Sequence, residues 1–282
     1  MKNIVIAFLT LFLSGTLPLF AQNAAKEELT VPLSDPNKSG FLEVGLMTGS
    51  IKVVGYSGKE VQIEAMSGTK AGSDSKVKDT PSGESSSAGM RRITPNSSFE
   101  LSAEERNNHV KITSNSMMHP VNLTIRVPQK FSLKVSTVNE GTIKVENVNG
   151  ELEVNNVNGP IDLSNVSGSA VANTINGDIK ANFRELNATA PMAFSTLNGR
   201  IDVTFPAAAK ASFKMKSDRG DIFSDFDMDI DKSQPQTTRS NQSGMYRVTV
   251  ENWVNGKING GGPEIMMKSM QGNIYVRKAG NR

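Results

Sequence analysis

Four aspartates at alternate positions form the densest group of potential metal ligands in the chain. They are Asp225, Asp227, Asp229 and Asp231. Alternate side chains of a strand share one face, so these carboxylates would form a row of hard oxygen ligands. An EF-hand calcium loop starting at Asp225 needs glycine at its sixth position and glutamate at its twelfth. The sequence has Ile230 and Gln236 there, so we expect a solvated outer face instead of a metal site.

The turns between repeats give a second test for calcium. Calcium-binding β-rolls with nine-residue repeats use Gly-Gly-x-Gly-x-Asp turns, which present carbonyls and carboxylates to the ion. Here an acidic residue directly follows a repeat glycine only at Glu151, Asp178 and Asp221. We therefore expect no metal site and no cofactor.

Catalytic groups are scarce. The chain has no cysteine, which excludes disulfides, thiolate zinc sites and cysteine nucleophiles. Its two histidines, His109 and His119, flank a strand-like run without an obvious carboxylate partner, so we expect surface or loop residues. There is no Gly-x-Ser-x-Gly elbow, and the glycine-rich stretch 260–263 lacks the lysine and hydroxyl residue of a phosphate loop. We expect no catalytic residues and a protein that is not an enzyme.

Asparagines are concentrated in the turns: Asn147, Asn149, Asn156, Asn158, Asn165 and Asn176. Asparagine tolerates left-handed backbone, and its amide can pair with an asparagine one coil away, which favours a structural role. A row of sugar-binding amides is the alternative. Such sites usually include an exposed aromatic residue, and none lies between Ser132 and Asn182. Trp253 with Tyr246 could form one elsewhere, although packing in the core or a cap is the favoured role.

A nine-residue repeat must position these residues. Glycines recur at Gly141, Gly150, Gly159, Gly168 and Gly177, with apolar residues two before, two after and four after many of them. Related units surround Gly49, Gly199, Gly220 and Gly272. The apolar alternation breaks once in each repeat, for example between Val154 and Val157, which a flat hairpin cannot accommodate. A corner at Asn155-Asn156 would turn Val157 inward again.

Two repeats fit one coil, so the predicted fold class is all-β: a β-solenoid with about 18–22 residues per coil, flanked by β-strand caps. Stacking at this period puts one isoleucine column inside: Ile143, Ile161 and Ile179. A second column joins Val145, Leu163 and Ala181, and the opposite wall places Leu152 over Ala170 and Val154 over Ala172. The spacings of 22 and 21 residues from Gly177 to Gly199 and on to Gly220 predict two further single coils with three or four extra loop residues.

The N-terminus predicts export. Residues 1–21 have a lysine, an apolar stretch and a cleavage point after Ala21, with cuts after Ala24 or Ala25 still open. Residues 22–282 are expected to form a single exported domain with mobile loops at about 67–98 and 231–244. No transmembrane segment is expected after signal removal, because no later apolar stretch approaches the ~20 residues of a span.

Four features of the sequence resemble the bacterial putative adhesin family. They are the strand segment from Phe41 to Ala65, the strand end at Val127-Pro128, the Asn-Gly-x-Ile-x-Val units and the closing 272–276 unit. That family has no known biochemical function. The similarity runs from about residue 29 to about residue 278. It implies a β-solenoid-like fold, export to the periplasm or cell surface, and no established catalytic residues.

These observations predict an exported, non-enzymatic adhesin-like interaction or envelope structural protein of a bacterium, located in the periplasm, on the cell surface or outside the cell. Its net charge of +3 is too small to indicate a nucleic-acid partner, so the expected partner is an unknown envelope or extracellular protein or glycan. The alternative is an envelope carbohydrate-binding or carbohydrate-active β-helix protein. Clustered carboxylates and aromatics would favour that alternative, whereas faces lined by Asn, Ser and Thr would favour the first.

Overall fold

The computed structural model of the chain describes residues 26–68, 100–114, 120–139, 141–231, 236–242 and 245–280. The predicted signal peptide and its cleavage sites before residue 25, His119 and nearly all of the predicted loop 67–98 lie outside these residues. For 236–242 and 245–251 only the backbone is described. The described strands are β1 Lys26–Pro32, β2 Gly40–Thr48, β3 Ile51–Tyr56, β4 Glu60–Ser67, β5 Leu101–Arg106, β6 His109–Ser114, β7 Val121–Pro128, β8 Phe131–Asn139, β9 Ile143–Glu146, β10 Asn149–Asn156, β11 Ile161–Asn176, β12 Ile179–Leu186, β13 Met192–Asn198, β14 Ile201–Phe205, β15 Ala211–Ser217, β16 Ile222–Ser224, β17 Asp229–Ile230, β18 Gln236–Gln242, β19 Met245–Glu251, β20 Val254–Ile258, β21 Glu264–Ser269 and β22 Ile274–Lys278.

Twenty of these strands form one continuous sheet wound into a β-solenoid with two walls. Wall A runs in the order β1, β4, β7, β3, β9, the start of β11, β12, β14, β22 and β16. Wall B runs in the order β5, β6, β2, β8, β10, the rest of β11, β13, β21, β15, β20 and β17. Each coil contributes one strand to wall B and the next strand to wall A. Within each wall, the strands of adjacent coils run parallel to one another.

The predicted inward columns are confirmed. Ile161 pairs in parallel with Ile143 on one side and with Ile179 on the other, and all three are at most 1% exposed. The second column pairs Leu163 with Val145 and Ala181. Leu152 over Ala170 and Val154 over Ala172 are also in register. Each buried aliphatic side chain of this size contributes about 1.5–3 kcal/mol, so stacked coils stabilise one another.

The order of the coils differs from the order of the chain, which the repeat spacing does not specify. Strand β14 does not pair with β16, the wall A strand of the next coil along the chain, because the C-terminal strand β22 lies between them. In wall B, β21 separates β13 from β15 in the same way. The N-terminal half repeats this arrangement, with β2 between β6 and β8 and β3 between β7 and β9.

Antiparallel strands cap both ends, as the sequence predicted. Strands β4 and β5 cover β7 and β6 at one end, and β20 covers β15 at the other. The outermost edge strand β1 exposes Lys26, Glu27 and Glu28, and charged side chains of this kind discourage edge-to-edge pairing. Within the expected loop 231–244, Gln236–Gln242 is instead a strand paired antiparallel to Met245–Glu251. That part of the segment is therefore regular structure.

Phenylalanine fills the interior of the later coils. Phe183 stacks on Phe205 with 5.7 Å between ring centroids, and Phe194 and Phe213 meet this pair edge to face. All four are at most 3% exposed. Within residues 132–182 the buried hydrophobic side chains are Val, Ile, Leu and Ala, and aromatic packing follows after them.

Candidate functional site

One corner of the solenoid, between the end of each wall B strand and the following wall A strand, is built from the same groups in coil after coil. An inward polar side chain donates a hydrogen bond of 2.8–3.0 Å to a glycine carbonyl one coil away. The donors are Thr137, Asn156, Thr174, Thr196, Ser269 and Ser217, and their acceptors are Gly49, Gly141, Gly159, Gly177, Gly199 and Gly272 respectively. This row satisfies carbonyls that the turn would otherwise leave unpaired.

The corner corrects the predicted direction of Val157. Alternation continues through Leu152 and Val154 to Asn156, which is 4% exposed, and Val157 points outward and is half-buried. The sequence pattern could not show this, because a polar residue occupies the inward position. Asn156 also differs from its Ser and Thr equivalents, since its Oδ1 is buried and has no hydrogen-bond partner within the part of the chain that the structure describes.

Glycine is required at this corner because neighbouring backbones approach closely. A Cβ added to Gly159 would lie 1.9 Å from the Gly141 carbonyl oxygen, and one added to Gly177 would lie 2.2 Å from that of Gly159. Neither residue has the left-handed φ that would by itself favour glycine. The repeated glycine is therefore a packing requirement of the stack.

The predicted asparagine pairing is confirmed for four of the six turn residues, Asn147, Asn158, Asn165 and Asn176. Asn158 donates to Asn139 at 3.5 Å, Asn176 to Asn158 at 2.8 Å, and Asn198 to Asn176 at 2.7 Å. At another corner Asn165 donates to Asn147, and both have left-handed φ values of 58° and 60°. The amides thus bind one another along the stack.

Outside the polar row lies a ridge of apolar side chains at equivalent positions of six adjacent coils. They are Met47, Val138, Val157, Ile175, Leu197 and Met270. Four of them are 40–49% exposed, and the two valines are half-buried. At about 4.8 Å between strands the ridge extends over about 24 Å.

Mostly neutral polar residues flank the ridge on both sides. The row after it is Thr48, Asn139, Asn158, Asn176, Asn198 and Gln271, and the row two positions before it is Gly45, Ser136, Asn155, Asn173, Ser195 and Lys268. We call these three rows the corner strip. Lys268 is the one charged residue among these eighteen described positions. The strip is therefore a long surface of apolar and amide groups with almost no charge.

A second surface lies on the outer face of wall A near the C-terminal end of the stack. Tyr275 in β22 pairs with Phe223 in β16, and their rings are parallel to within 12° with centroids 5.1 Å apart. The Arg277 Cζ lies 4.9 Å from the centroid of the Tyr275 ring. Arg277 also donates from Nε and Nη2 to the two carboxylate oxygens of Asp202 at 2.7 and 3.1 Å. We call these four residues the aromatic stack.

Electrostatics at the aromatic stack follow from that ion pair. Hydrogen bonding to Asp202 raises the pKa of Arg277, so the guanidinium stays charged. The Asp202 side chain is 18% exposed and that of Arg277 is 38% exposed, which makes the pair partly buried and geometrically fixed. The stack is thus a rigid arrangement of two rings and one planar cation.

The residues singled out for chemistry in the sequence do not come together as one site. His109 contacts Phe41 edge to face at 4.8 Å, and its Nε2 lies 3.5 Å from Glu43, a carboxylate partner that the sequence did not reveal. The aspartates at 225, 227, 229 and 231 are all exposed, and only Asp229 lies in a strand. Within the described ranges no three His, Asp or Glu side chains are grouped closely enough to hold a metal ion.

Trp253 is half-buried, and the amines of Lys214 and Lys216 lie 4.9 and 5.9 Å from its ring centroid. The side chain of Tyr246, its predicted partner in an aromatic platform, lies outside the described residues. An exposed pair of aromatic rings is formed by Phe223 and Tyr275. Both follow the isoleucine of a Gly-x-Ile unit, but only the inserted β22 brings them together.

Comparisons with known proteins agree with a domain of unknown function. Residues 124–259, slightly less than half of the chain, match the domain family described as Toastrack DUF4097. A search of curated proteins finds none that matches.

Two solved structures are similar in outline. A putative cell adhesion protein from Clostridium sporogenes ATCC 15579 aligns with a TM-score of 0.44 and 10% identity over 91% of this chain and 100% of its own. A putative adhesin from Bacteroides fragilis NCTC 9343 aligns with a TM-score of 0.32 and 10% identity over 92% of this chain and 98% of its own. Both similarities are too low to transfer a partner or an activity.

None of the described segments forms a helix with the length and apolarity of a membrane crossing.

Proposed function

We propose that this chain is an exported, non-enzymatic, adhesin-like interaction protein of the bacterial envelope, and that its corner strip binds a protein partner. The observation that carries the proposal is the exposed apolar ridge over six adjacent coils. Extended apolar surface rimmed by polar groups is typical of protein interaction sites.

The composition of the corner strip selects the class of partner. With a single lysine, Lys268, it has no cluster of cations for nucleic acid or an anionic membrane. It has no aromatic ring on which a sugar could stack, and no carboxylate that could act on one. A protein surface with its own apolar row and hydrogen-bonding groups complements it best.

The proposal is tested with the purified mature chain and an envelope preparation of the native cell. Leu197→Lys puts a charge in the centre of the ridge and should reduce retention of the protein on envelopes at least tenfold. Asn182→Lys adds the same charge on the exposed outer face of wall A and should leave retention unchanged. Equal retention of the two variants, at equal melting temperature, would refute the role of the strip.

Export is tested separately. The mass of the protein isolated from fractionated native cells should correspond to a chain beginning after residue 21, 24 or 25. A full-length chain in the cytoplasmic fraction would contradict export.

The aromatic stack lies on a different face and favours glycan binding as a second function of the same protein.

A further inference from the structure

The aromatic stack has an exposed ring face. Strand β16 pairs with β22 on one side and, among the described residues, with no strand on the other. Strand β14 pairs with β22 on the opposite side, so Asp202 and the Arg277 guanidinium lie on the side of Tyr275 away from Phe223. One face of Phe223 is therefore covered by Tyr275, and 47% of the residue remains exposed at the end of wall A.

A chain of contacts on the Tyr275 side of Phe223 holds the exposed ring in place. The sequence of contacts is Asp202 to Arg277, Arg277 to Tyr275, and Tyr275 to Phe223. Asn273 Nδ2 also donates to the Tyr275 hydroxyl at 3.1 Å. A ring fixed in this way loses little conformational freedom when it binds a ligand.

Hydrogen-bonding groups surround the rings. The Tyr275 hydroxyl accepts from Asn273, which leaves its own proton for a ligand. Arg277 uses Nε and Nη2 for Asp202, and among the described residues Nη1 has no acceptor. The exposed Asp225 lies beside Arg277, because Ser224 pairs with Val276 and the Asp225 backbone N–H donates to the Val276 carbonyl at 3.0 Å.

We propose that Phe223, Tyr275 and Arg277 form a binding site for a neutral pyranose glycan. A pyranose presents weakly positive C–H groups on one face, which pack on the negative face of an aromatic ring. Its peripheral hydroxyls both donate and accept, as required by Asp225, the Tyr275 hydroxyl and Arg277.

Charge selects a neutral sugar over an acidic one. Asp202 neutralises Arg277, and the exposed Asp221 and Asp225 lie on either side of Phe223 along the chain. An acidic glycan would be repelled by these carboxylates, and the aromatic stack has no unpaired cation that would offset this repulsion. This site is separate from the corner strip, so each can be tested without the other.

The test is titration calorimetry of the mature chain with chitotetraose, cellotetraose, mannotetraose and, as the acidic probe, tetragalacturonate. At least one neutral tetrasaccharide should bind, and tetragalacturonate should bind at least tenfold more weakly. Phe223→Ala should weaken binding of the neutral sugar about tenfold or more, because the stacking face is removed. Phe223→Tyr keeps the face and should stay within about threefold of the original affinity.

Leu197→Lys, on the corner strip, should leave sugar binding unchanged, so a failure of this site is distinguishable from a failure of the corner strip. Melting temperatures show that each variant is folded. Absence of binding to all three neutral sugars, equal binding by Phe223→Ala, or tighter binding of tetragalacturonate would each overturn the proposal.

Discussion

Replacement of Asn156 by threonine should stabilise the protein. Asn156 donates from Nδ2 to the Gly141 carbonyl at 2.8 Å, whereas its Oδ1 is buried and no described residue donates a hydrogen bond to it. At the equivalent position one coil on, Thr174 donates to the Gly159 carbonyl at 3.0 Å through a hydroxyl that fits the corner. Asn156→Thr should keep the useful hydrogen bond and remove the unsatisfied acceptor.

The expected change in stability combines two effects: the removal of the unsatisfied amide oxygen and the loss of one long contact of the amide nitrogen. A buried polar group without a partner costs about 1–3 kcal/mol, and threonine also suits a strand. Against this, Asn156→Thr loses the long contact of Nδ2 with the Pro160 carbonyl at 3.4 Å. We expect a net stabilisation of about 1 kcal/mol, which corresponds to about 2–4 °C in melting temperature for a chain of this size.

The assay is thermal and urea unfolding of the mature chain, followed by circular dichroism. The matched reverse variant is Thr174→Asn, which introduces the same orphaned oxygen one coil away and should destabilise by about 1–2 kcal/mol. A decrease in stability for Asn156→Thr, or no effect of Thr174→Asn, would refute the reasoning about this polar row.

Three further predictions concern stability. Gly177→Ala forces a Cβ to within 2.2 Å of a neighbouring carbonyl oxygen and should lower the free energy of unfolding by more than about 3 kcal/mol. The Cβ of Gly260→Ala meets no atom within 4 Å, so that variant should lose only about 1–2 kcal/mol from the strain of a left-handed backbone. Similar urea midpoints would contradict the packing argument. Ile161→Asp buries a carboxylate in the isoleucine column and should cost more than about 4 kcal/mol, whereas Asp162→Ala should change stability by less than about 0.5 kcal/mol; equal melting temperatures would mean the wall directions are wrong. Two backbone N–H donors lower the pKa of the Glu105 carboxyl. The ionised carboxylate therefore stabilises the folded state above its unfolded pKa of about 4.3, and this stabilisation is lost as the pH falls through the lower folded pKa. Glu105→Gln should therefore reduce the loss of stability on acidification. If stability falls equally with decreasing pH in the original chain and in Glu105→Gln, the Glu105 carboxylate does not stabilise the fold in this way.

The repeat made the central coils predictable. Ile143, Ile161 and Ile179 could be placed in one column because their spacing matches the coil and their type matches a dry interior. The asparagine ladders followed from the same period, because residues one coil apart lie at hydrogen-bonding distance.

The remaining features depend on contacts that the local sequence does not specify. The insertion of β22 between β14 and β16 pairs residues far apart in the chain, and the repeat motif fits several neighbours equally well. The platform of Phe223 and Tyr275 depends on that insertion, so the local sequence does not predict it. The apolar pattern predicts Val157 inside, whereas Asn156 occupies the inward position and donates a hydrogen bond to a backbone carbonyl.

Site-specific photo-crosslinking in the native cell tests the role of the corner strip most directly. A benzophenone amino acid in place of exposed Leu197 lies on the ridge, and the same probe in place of exposed Asn182 lies on wall A as the control. The proposed interaction predicts a discrete protein adduct of defined mass from residue 197 that is absent from residue 182. No adduct from 197, the same adducts from both residues, or an adduct with twice the mass of this chain would contradict binding of a protein partner at the strip.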